Sequence, residues 1–239
     1  MGVRRWSELT SWTWAGADSL HPRAIAFDTP NYMLRRLAAQ RSPRGPGVFL
    51  DHVYIFLSIV RSCMRLGLLP VFVFDGPPET LKRPVNASLV SRAEALYAAF
   101  RESGNVYDDT VSEALSDSRA LHWYFSVAHL RDLCLWSGVP AVTSPSEAEM
   151  LAARLAAEGR VASVVSNDAV AMLFGSPSVT RALRLSEGLL ESSSLSALMT
   201  STGLTLAQLR DLAVVCGCDF HPGLKGIGPR NGVIELRRH

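Results

Sequence analysis

The sequence predicts an α/β fold built on a twisted, mostly parallel sheet flanked by helices, and two observations support this. Short apolar runs of strand length recur along the chain and are separated by segments with helical periodicity. The composition is 48% hydrophobic and only 19% charged, with a mean hydropathy of +0.14. A chain of 239 residues with this composition can bury a sizeable core, which argues against a disordered scaffold.

Three apolar runs are predicted to form buried parallel strands, and a fourth segment is predicted to form a strand. They are Ala24–Phe27, Val71–Phe74, Val161–Val165, and Gly138–Val142 with its entry turn. Their side chains are apolar at successive positions instead of at every second one. This pattern is typical of parallel strands that are covered on both faces.

Helices are predicted between and after these strands. Their predicted ranges are Asn31–Gln40, Leu50–Leu66, Ser126–Trp136, Ser146–Glu158 and Thr205–Val215. The stretch from Pro77 to His122 is mixed and polar and carries little strand signal. It is therefore predicted to be a helical insertion.

Charge, cysteines and targeting signals narrow the class of protein. A net charge of +2 does not by itself indicate nucleic-acid binding. There is no apolar run long enough to span a membrane, and the N-terminus lacks the apolar stretch of a secretory signal. The four cysteines match neither a disulfide framework nor a zinc site. We therefore expect reduced thiols and an intracellular protein, which would be nuclear in a eukaryote and cytoplasmic otherwise.

Single aspartates follow three of the predicted strands. Asp28 and Asp75 come directly after the first two apolar runs, and Asp168 follows the run that ends at Val165. Because the carboxyl ends of parallel strands meet at one edge of an open sheet, we expect these side chains to converge there. A lone aspartate after a strand is as often an ordinary turn residue, so the joint pattern carries the prediction.

Three further carboxylates are predicted to join this edge. Glu147 and Glu149 lie at a predicted helix start, with Ser144 or Ser146 as the cap. Asp219 lies just after the last predicted helix. Taken alone, a glutamate in a first helical turn is often only a partner of the helix dipole.

Clustered carboxylates repel one another and are costly to bury unless cations neutralise them. Oxygen ligands without a cysteine or histidine constellation suit Mg²⁺ or Mn²⁺ better than zinc. Two such ions about 4 Å apart can hold the attacking and leaving oxygens of a phosphodiester. From the residues alone, the prediction is an α/β hydrolase that uses divalent metal.

Segments spread over the whole chain resemble the flap-endonuclease (XPG-type) family in order and spacing. They are Met1–Val3, Ile25–Asp28, Val71–Pro78, Pro145–Glu149, Phe174–Pro177, and Gly217–Phe220 leading into Gly226–Pro229. The resemblance implies a PIN-like 5′-nuclease core, with residues 1–239 as a single domain. It would comprise an N-terminal region at 1–100, a helical arch at 77–122, and an internal region at 138–239 that ends in a helix-hairpin-helix element at 215–239.

The resemblance also implies residue roles. Metal-site carboxylates would be Asp28, Asp75, Glu147, Glu149, Asp168 and Asp219, and Lys82 would act with Asp75 and Asp168 in catalysis. DNA contacts would be made by Gly2, Arg41, Lys82, Arg181, Lys225, Gly226, Gly228 and Arg230. Lys82 could instead be a solvated surface lysine without a catalytic role. Arg181 could instead form a salt bridge within the protein.

The implied DNA-binding hairpin is also supported by its own residues. Glycines at 226 and 228 permit a tight turn that presents main-chain N–H groups to a phosphate without reading base sequence. A bare Gly-x-Gly is weak on its own, and its position after Asp219 strengthens it. The resemblance implies a possible K⁺ ion at this hairpin, in addition to two Mg²⁺ or Mn²⁺ ions at the carboxylates.

The chain departs from the family pattern at three places close to the chemistry. A second aspartate expected two residues after Asp168 is Val170, which cannot ligate a metal. Ala87–Leu89 is neutral where a second basic residue is expected, and Leu34 stands where an aromatic base-stacking residue is expected. These departures indicate a weakened second metal position, and substitution of Val170 by aspartate is expected to raise activity if that position limits it.

The predicted function is a structure-specific, metal-dependent nuclease that cuts branched DNA such as 5′ flaps in replication or repair. Three alternatives stay open: a nucleic-acid-binding module that has lost cleavage, an RNA-cleaving nuclease of the same fold, and an unrelated metallohydrolase of small phosphoesters. The last would not explain the hairpin. We expect a monomer that binds branched DNA, with RNA not excluded, no membrane association, and no support for a sliding-clamp tail.

Overall fold

The computed structural model describes residues 2–39, 50–77, 87–184 and 186–238. Within these ranges the protein is built around one seven-stranded sheet. The strands are β1 Thr13–Gly16, β2 Ala24–Asp28, β3 Leu69–Phe74, β4 Ala141–Thr143, β5 Ser163–Val165, β6 Ser178–Arg184 and β7 Leu189–Ser194.

The sheet is mostly parallel, as predicted. Its strand order is β1-β7-β6-β5-β2-β3-β4. The β2–β3, β2–β5, β3–β4 and β5–β6 pairs are parallel, whereas β6–β7 and β1–β7 are antiparallel. All four predicted strands are present, and β1, β6 and β7 have no counterpart among the predicted runs.

The helices observed in the described ranges are α1 Thr29–Ala39, α2 Asp51–Arg65, α3 Ala87–Ser103, α4 Asp109–Asp117, α5 Arg119–Ser137, α6 Ala148–Ala157, α7 Leu195–Thr202, α8 Leu206–Cys216 and α9 Pro229–Leu236. Short 3₁₀ helices cover Trp6–Glu8, Ala17–Ser19 and Val170–Phe174. None of the helices in the described part of the chain combines the length and apolarity needed to cross a bilayer. The four cysteines are free thiols, as predicted.

Alternation along β2 divides the apolar core between the two faces of the sheet. Ala24 and Ala26 pack into the cluster formed with α6 and α8, whereas Ile25 and Phe27 pack into the cluster formed with α2 and α5. Successive strand side chains point to opposite faces, so β2 is covered on both sides.

The predicted helical insertion consists mainly of helices in the residues that the structure describes, with a short connection at 104–108. Helices α3 and α4 pack on the first half of α5 through a third apolar cluster that includes Tyr97, Phe100, Leu115 and Phe125. Helix α5 starts earlier than predicted because the Ser118 side chain caps it, accepting a hydrogen bond from the Leu121 amide at 3.2 Å. The same helix then continues beneath the sheet, so the insertion is joined rigidly to the core.

Strand register brings the predicted acidic residues to one edge. Asp28 is the last residue of β2 and lies opposite Val73 of β3, while Phe27 lies opposite Val165 of β5. Asp75 comes two residues after Val73, and Asp168 three residues after Val165. The three aspartates therefore leave neighbouring parallel strands at the same end.

Candidate metal and nucleic-acid site

Asp28 is a buried carboxylate at the centre of this edge. Its side chain is only 4% exposed. It accepts a hydrogen bond from the Ser166 hydroxyl at 3.2 Å and one from the Asn31 amide at 3.4 Å. Burial raises the pKa of Asp28 to about 7, and repulsion from Asp75 and Asp168 adds to the effect.

Glu149 is a second buried carboxylate, in the first turn of α6. It is 2% exposed. Its pKa is raised to about 8, mainly by burial and in smaller part by the charges of Asp28 and Asp168. Two carboxyl groups that ionise near neutral pH thus repel each other across the gap between β2 and α6, which stores an unfavourable interaction that a bound cation would relieve.

Asp75 caps helix α6 from a distant part of the chain. The amide of Ala148 donates a 2.8 Å hydrogen bond to the Asp75 carboxylate, and Glu147 is the N-cap residue without a side-chain cap bond of its own. The prediction that Ser144 or Ser146 caps this helix is wrong. The Ser144 hydroxyl instead accepts from the Ser146 amide within the preceding turn.

Gly76 allows this close approach. A Cβ atom at position 76 would lie 2.0 Å from the carbonyl oxygen of Ser144, so no larger residue fits. The Gly76 amide donates to the Ser146 carbonyl at 2.7 Å. The chain after β3 is therefore held directly against the start of α6, which fixes Asp75 beside Glu147.

Asn31 ties Asp168 to the start of α1. Its amide nitrogen Nδ2 donates to Asp168 at 3.2 Å, and its side-chain oxygen accepts from the Asn167 main-chain amide at 2.8 Å. Asp168 also accepts from the Val170 amide at 3.1 Å. Burial raises the pKa of Asp168, and the charge of Asp219 raises it further. Asn31 has no role in the sequence prediction, although its position three residues after Asp28 at a helix start suits it for one.

Asp219 lies beyond α8 and is exposed. Its carboxylate accepts a 3.0 Å hydrogen bond from the Gly2 amide, and Val3 pairs with Cys218 in an antiparallel bridge. The start of the chain is thereby attached to the acidic edge, and the DNA contact predicted for Gly2 stays a prediction.

Several of the predicted carboxylates lie near enough to affect one another's ionisation, and their assignment as a metal site stays a prediction. Mutual repulsion links Asp28 to Asp75 and Asp168, and Asp168 to Asp219, while Glu149 responds to both Asp28 and Asp168. Glu147 lines a cavity together with Asp75. Within the described ranges, however, no three His, Cys, Asp or Glu side chains already form a group that could hold a metal ion.

A second, basic region lies at the turn between α8 and α9. A cavity of about 480 Å³ is lined by Arg4, Arg5 and Lys225 together with the glycine turn at 226–228. Gly228 is the N-cap of α9 and Pro229 follows at the first helical position. Main-chain N–H groups at such a helix start, surrounded by cations, suit a backbone phosphate. The sequence prediction included Lys225, Gly226 and Gly228 but missed Arg4 and Arg5, for which the paired arginines beside Gly2 are the available signal.

Comparison with known proteins identifies a matching family model and similar proteins. The XPG I-region family matches residues 138–219. Flap endonuclease 1 of Methanoculleus marisnigri is 32% identical to this chain, over 89% of the chain and 68% of that protein. The chain belongs to the flap endonuclease family. Flap endonuclease 1 of Cryptosporidium muris is 30% identical over 93% of the chain, and the chain spans 51% of that protein, about half its length.

A solved structure of this family has the same fold. The flap endonuclease-1 from Methanococcus jannaschii superposes with a TM-score of 0.69 at 26% identity, and the match covers 99% of this chain and 77% of that one. The predicted resemblance to the flap endonuclease family and the predicted fold class are confirmed.

Val170 stands where the family resemblance implies a second aspartate. Its side chain is fully buried and packs in the core cluster beneath α6 and α8. Only its main chain serves the site, by donating to Asp168. An aspartate at position 170 would place a carboxylate in the apolar core, and burying that charge carries a large free-energy cost. We therefore do not expect Val170→Asp to raise activity.

Three other residues near the candidate site have defined surroundings. Asn167 directs its side-chain oxygen to Arg35 at 3.4 Å and its nitrogen to Asn31. Tyr32 is 2% exposed and packs edge-on against Phe27, so it belongs to the core, whereas Leu34 is 47% exposed.

The remaining basic residues predicted for DNA contact are spread over the flap-endonuclease fold. Arg181 makes a bidentate ion pair with Glu191 at 2.7 and 2.8 Å, which is the alternative role kept open for it. Arg230 is largely exposed and lies 3.8 Å from Glu8. Lys82 and Arg41 lie outside the described residues, and all four DNA contacts stay predictions.

Proposed function

We propose that this chain is a divalent-metal-dependent, structure-specific nuclease that cuts phosphodiester bonds at branched DNA such as 5′ flaps. The observation that carries the proposal is the pair of buried carboxylates, Asp28 and Glu149, whose pKa values are raised towards neutrality beside four more acids of the same region. Membership of the flap endonuclease family supports the assignment of this edge to nuclease chemistry.

The residues present fit a hard divalent cation by their donor chemistry. Carboxylate oxygens of Asp28, Asp75, Glu147, Glu149, Asp168 and Asp219 would hold Mg²⁺ or Mn²⁺ directly or through water. Because no three described acids are already grouped around one point, water or side-chain adjustment would complete the shell. When bound, such a cation supplies charge neutralisation for a phosphate and lowers the pKa of water. We propose two ions, with the second held more weakly because Val170 contributes no ligand.

The chain's own groups position the acids for this task. Asn31 hydrogen bonds to both Asp28 and Asp168. Its main-chain N–H donates to the Asp28 carboxylate, and its side-chain Nδ2 donates to the Asp168 carboxylate. The start of α6 fixes Asp75, and the Gly2 amide fixes Asp219. Pre-formed hydrogen bonds of this kind hold ligand oxygens in place, so less reorganisation is needed when substrate binds.

Duplex DNA would be gripped at the basic cavity near α9. Arg4, Arg5 and Lys225 supply charge there, and the glycine turn supplies main-chain N–H groups. A K⁺ ion at this turn is part of the proposal. Contacts of this type recognise the phosphate backbone without reading bases, which suits an enzyme that selects substrate by shape.

The proposal is tested by incubating the protein with a labelled 5′ flap and with a linear duplex, each in Mg²⁺ and in Mn²⁺. We expect cleavage of the flap near its junction, leaving a 5′-phosphate and a 3′-hydroxyl, and little cleavage of the duplex. Asp75→Ala should abolish cutting while flap binding is retained. Unaltered cutting by Asp75→Ala would refute the assignment.

A second candidate function is a nucleic-acid-binding module that has lost cleavage. The observation that favours it is Val170, a residue buried in the core that offers no carboxylate at a position where the family resemblance implies a metal-binding aspartate. Flap binding without cleavage in either metal would select this candidate. An RNA flap of the same sequence, run in parallel, decides the sugar preference.

A further inference from the structure

Two N–H groups hold the Asp168 carboxylate, one on each oxygen. The Val170 main-chain amide donates to Oδ1 at 3.1 Å, and the Asn31 side-chain nitrogen Nδ2 donates to Oδ2 at 3.2 Å. Both donors come from positions well placed to carry an oxygen ligand. Val170 stands where the resemblance implies an aspartate, and Asn31 lies in the first turn of α1, three residues after Asp28. The protein thus balances the charge of Asp168 with N–H dipoles at both places.

The side-chain amide of Asn31 can point in only one direction. Its oxygen Oδ1 accepts from the Asn167 main-chain N–H at 2.8 Å, and a main-chain N–H can only donate. The Asn167 side-chain nitrogen donates to the same oxygen at 2.8 Å, and Arg35 donates to the Asn167 side-chain oxygen at 3.4 Å, which orients that amide in turn. Because Oδ1 of Asn31 is committed to Asn167, its NH₂ group must face Asp168.

This NH₂ group is an unfavourable neighbour for a cation at the same oxygen. It carries a partial positive charge and offers no lone pair to a metal, so it opposes a cation at Oδ2 of Asp168. A carboxylate at position 31 would reverse both effects, because it carries negative charge and is a ligand for hard cations. The residue at position 31 therefore affects how strongly Asp168 can bind a metal.

We propose that the side-chain amide of Asn31 sets the affinity of the second ion, by holding Asp168 with an N–H donor that competes with a cation for Oδ2. The proposal rests on the proposed nuclease function, since it concerns an ion of the same site. Asn31 is a positioning residue in this role, because it acts through Asp168. It keeps Asp168 ordered without the second ion and makes binding of that ion depend on the oxygens that a substrate phosphate brings.

A purely structural role for Asn31 predicts a change of opposite sign. If Asn31 only braced Asp168, any substitution would loosen the carboxylate and weaken metal binding, by roughly 10- to 100-fold for a lost outer partner of a ligand. If the amide competes with the cation, Asn31→Asp should strengthen binding instead. The new side chain has nearly the same shape, can still accept from the Asn167 amide, and adds an oxygen ligand beside Asp168.

The test is a Mn²⁺ titration of the metal-free protein without substrate, followed by electron paramagnetic resonance and calorimetry, which count the ions and give a constant for each. We expect one tighter and one weaker ion in wild type. Asn31→Asp should tighten the weaker step at least about tenfold, because the charge of the ligand set rises. Asn31→Ala removes the competing donor without adding a ligand and should tighten it about fivefold.

Leu34→Asp is the matched control for added charge. Leu34 lies on α1 one helical turn after Asn31 and is 47% exposed, so its carboxylate would be added near the same edge but in solvent. It should leave both Mn²⁺ constants within about twofold, because solvent and salt screen an exposed charge. Equal tightening in Leu34→Asp and Asn31→Asp would overturn the proposal, since any nearby charge would then be sufficient.

A second Mn²⁺ constant that is unchanged or weaker in Asn31→Asp would also overturn it. A second ion that appears only in Asn31→Asp would support it. Melting temperatures in EDTA show whether each variant is folded before metal is added. If Asn31→Asp does not fold without metal, Asn31→Ala decides the question, and an unchanged or weaker second step in that variant would count against the competing amide.

Flap cutting at increasing Mn²⁺ concentration separates failure of this proposal from failure of the nuclease function. If wild type cuts the flap but Asn31→Asp needs the same Mn²⁺ concentration and shows the same constants, the nuclease assignment stands and the role of Asn31 is wrong. If the constants shift as expected while no metal supports cutting, the role of Asn31 stands and the chain acts as a binding module. Absence of Mn²⁺ binding in wild type and in every variant would overturn both.

Discussion

Two groups of charged side chains lie on the same sheet and behave in opposite ways. On β6 and β7, Arg181 and Glu191 form a bidentate ion pair, with the guanidinium also 4.5 Å from the centre of the Trp12 ring. The hydrogen bond from Arg181 lowers the pKa of Glu191. At the carboxyl ends of β2 and β5, burial and like charges raise the pKa of Asp28 and Asp168 instead.

The first group of charges stabilises the fold through an ion pair. The second group, in the proposed function, binds a ligand. In the first group, protein supplies both signs, so folding alone satisfies the charges. In the second group, several acids are drawn together and their ionisation opposes folding. Such an arrangement persists where a cation or substrate compensates for it, and perturbed groups of this kind concentrate at functional sites.

The largest expected effect is on cleavage. Asp28→Asn keeps the shape of the side chain but removes its charge, and we expect flap cutting in Mg²⁺ to fall at least about a thousandfold, roughly 4 kcal/mol of transition-state stabilisation. Glu191→Gln, from the other group, should leave the rate within about threefold. Single-turnover rates measure both. Similar rates for wild type and Asp28→Asn would mean that the two groups do not differ in function.

The next largest expected effect is a loss of stability in Val170→Asp. Because this side chain is fully buried in the apolar core, we expect a loss of about 3 kcal/mol in the free energy of unfolding and no gain in cleavage. Urea denaturation with and without Mn²⁺ measures it, with Val170→Ala as a control for lost packing. A variant whose lost stability Mn²⁺ restores, and which cuts faster, would show that the new carboxylate reaches the metal.

Divalent metal should stabilise the fold through the acidic edge alone. At a Mn²⁺ concentration about 100 times its dissociation constant, binding adds about 2.7 kcal/mol, or roughly 5–10 °C in melting temperature for a domain of this size. Glu149→Gln should abolish most of this shift, and Glu191→Gln should keep it. Equal shifts in the two variants would place the ion elsewhere.

The stability of the metal-free protein should fall as pH rises. A carboxylate in an ion pair has the opposite effect, because its lowered pKa makes the folded state more stable at higher pH. The pKa values of Asp28 and Glu149 rise from 3.8 and 4.5 to about 7 and 8 in the folded state. The folded protein therefore holds more protons than the unfolded chain, and metal-free stability declines as pH rises from the unfolded values through pH 8. We expect about 4 kcal/mol less stability at pH 8.5 than at pH 6, with the larger part from Glu149.

The test of this pH effect is the difference between variants in EDTA. Glu149→Gln cannot ionise, so its melting temperature should exceed that of wild type at pH 8.5 and approach it near pH 5. Glu158→Gln, at an exposed carboxylate paired with Arg154, is the control and should show no such trend. A wild-type protein that becomes more stable between pH 6 and pH 8.5 relative to Glu149→Gln would contradict the raised pKa values.

The parts of this molecule that were predicted from sequence are those where local pattern and global fold agree. The buried parallel strands β2, β3 and β5 are mostly apolar on both faces, and an aspartate at or just after each one marks the edge of the sheet. Strands β6 and β7 lack that signature because hydroxyl groups fill much of their buried surface. Thr180, for example, hydrogen bonds to Ser163 and Ser192 on the two neighbouring strands.

What sequence could not give depends on contacts between distant positions. The cap of α6 is Asp75, 73 residues before Ala148, and no local pattern links the two. The orientation of Val170 into the core and the bridge made by Asn31 are likewise consequences of packing. The roles of Arg4 and Arg5 emerge only when the start of the chain meets the turn before α9.

The smallest expected effect belongs to the Arg181–Glu191 pair, and it decides whether this group is purely structural. The pair is partly exposed, so a double-mutant cycle with Arg181→Ala and Glu191→Gln should give a coupling of about 1 kcal/mol or less. Flap affinity should be nearly equal in the two single variants, because Arg181 is occupied by Glu191. If Arg181 instead contacts a phosphate, Arg181→Ala alone will weaken binding, and the slope of log affinity against log salt will fall by about 1. That result would move Arg181 from the charges that serve the fold to those that serve the ligand, and the contrast between the two groups would then rest on the acids alone.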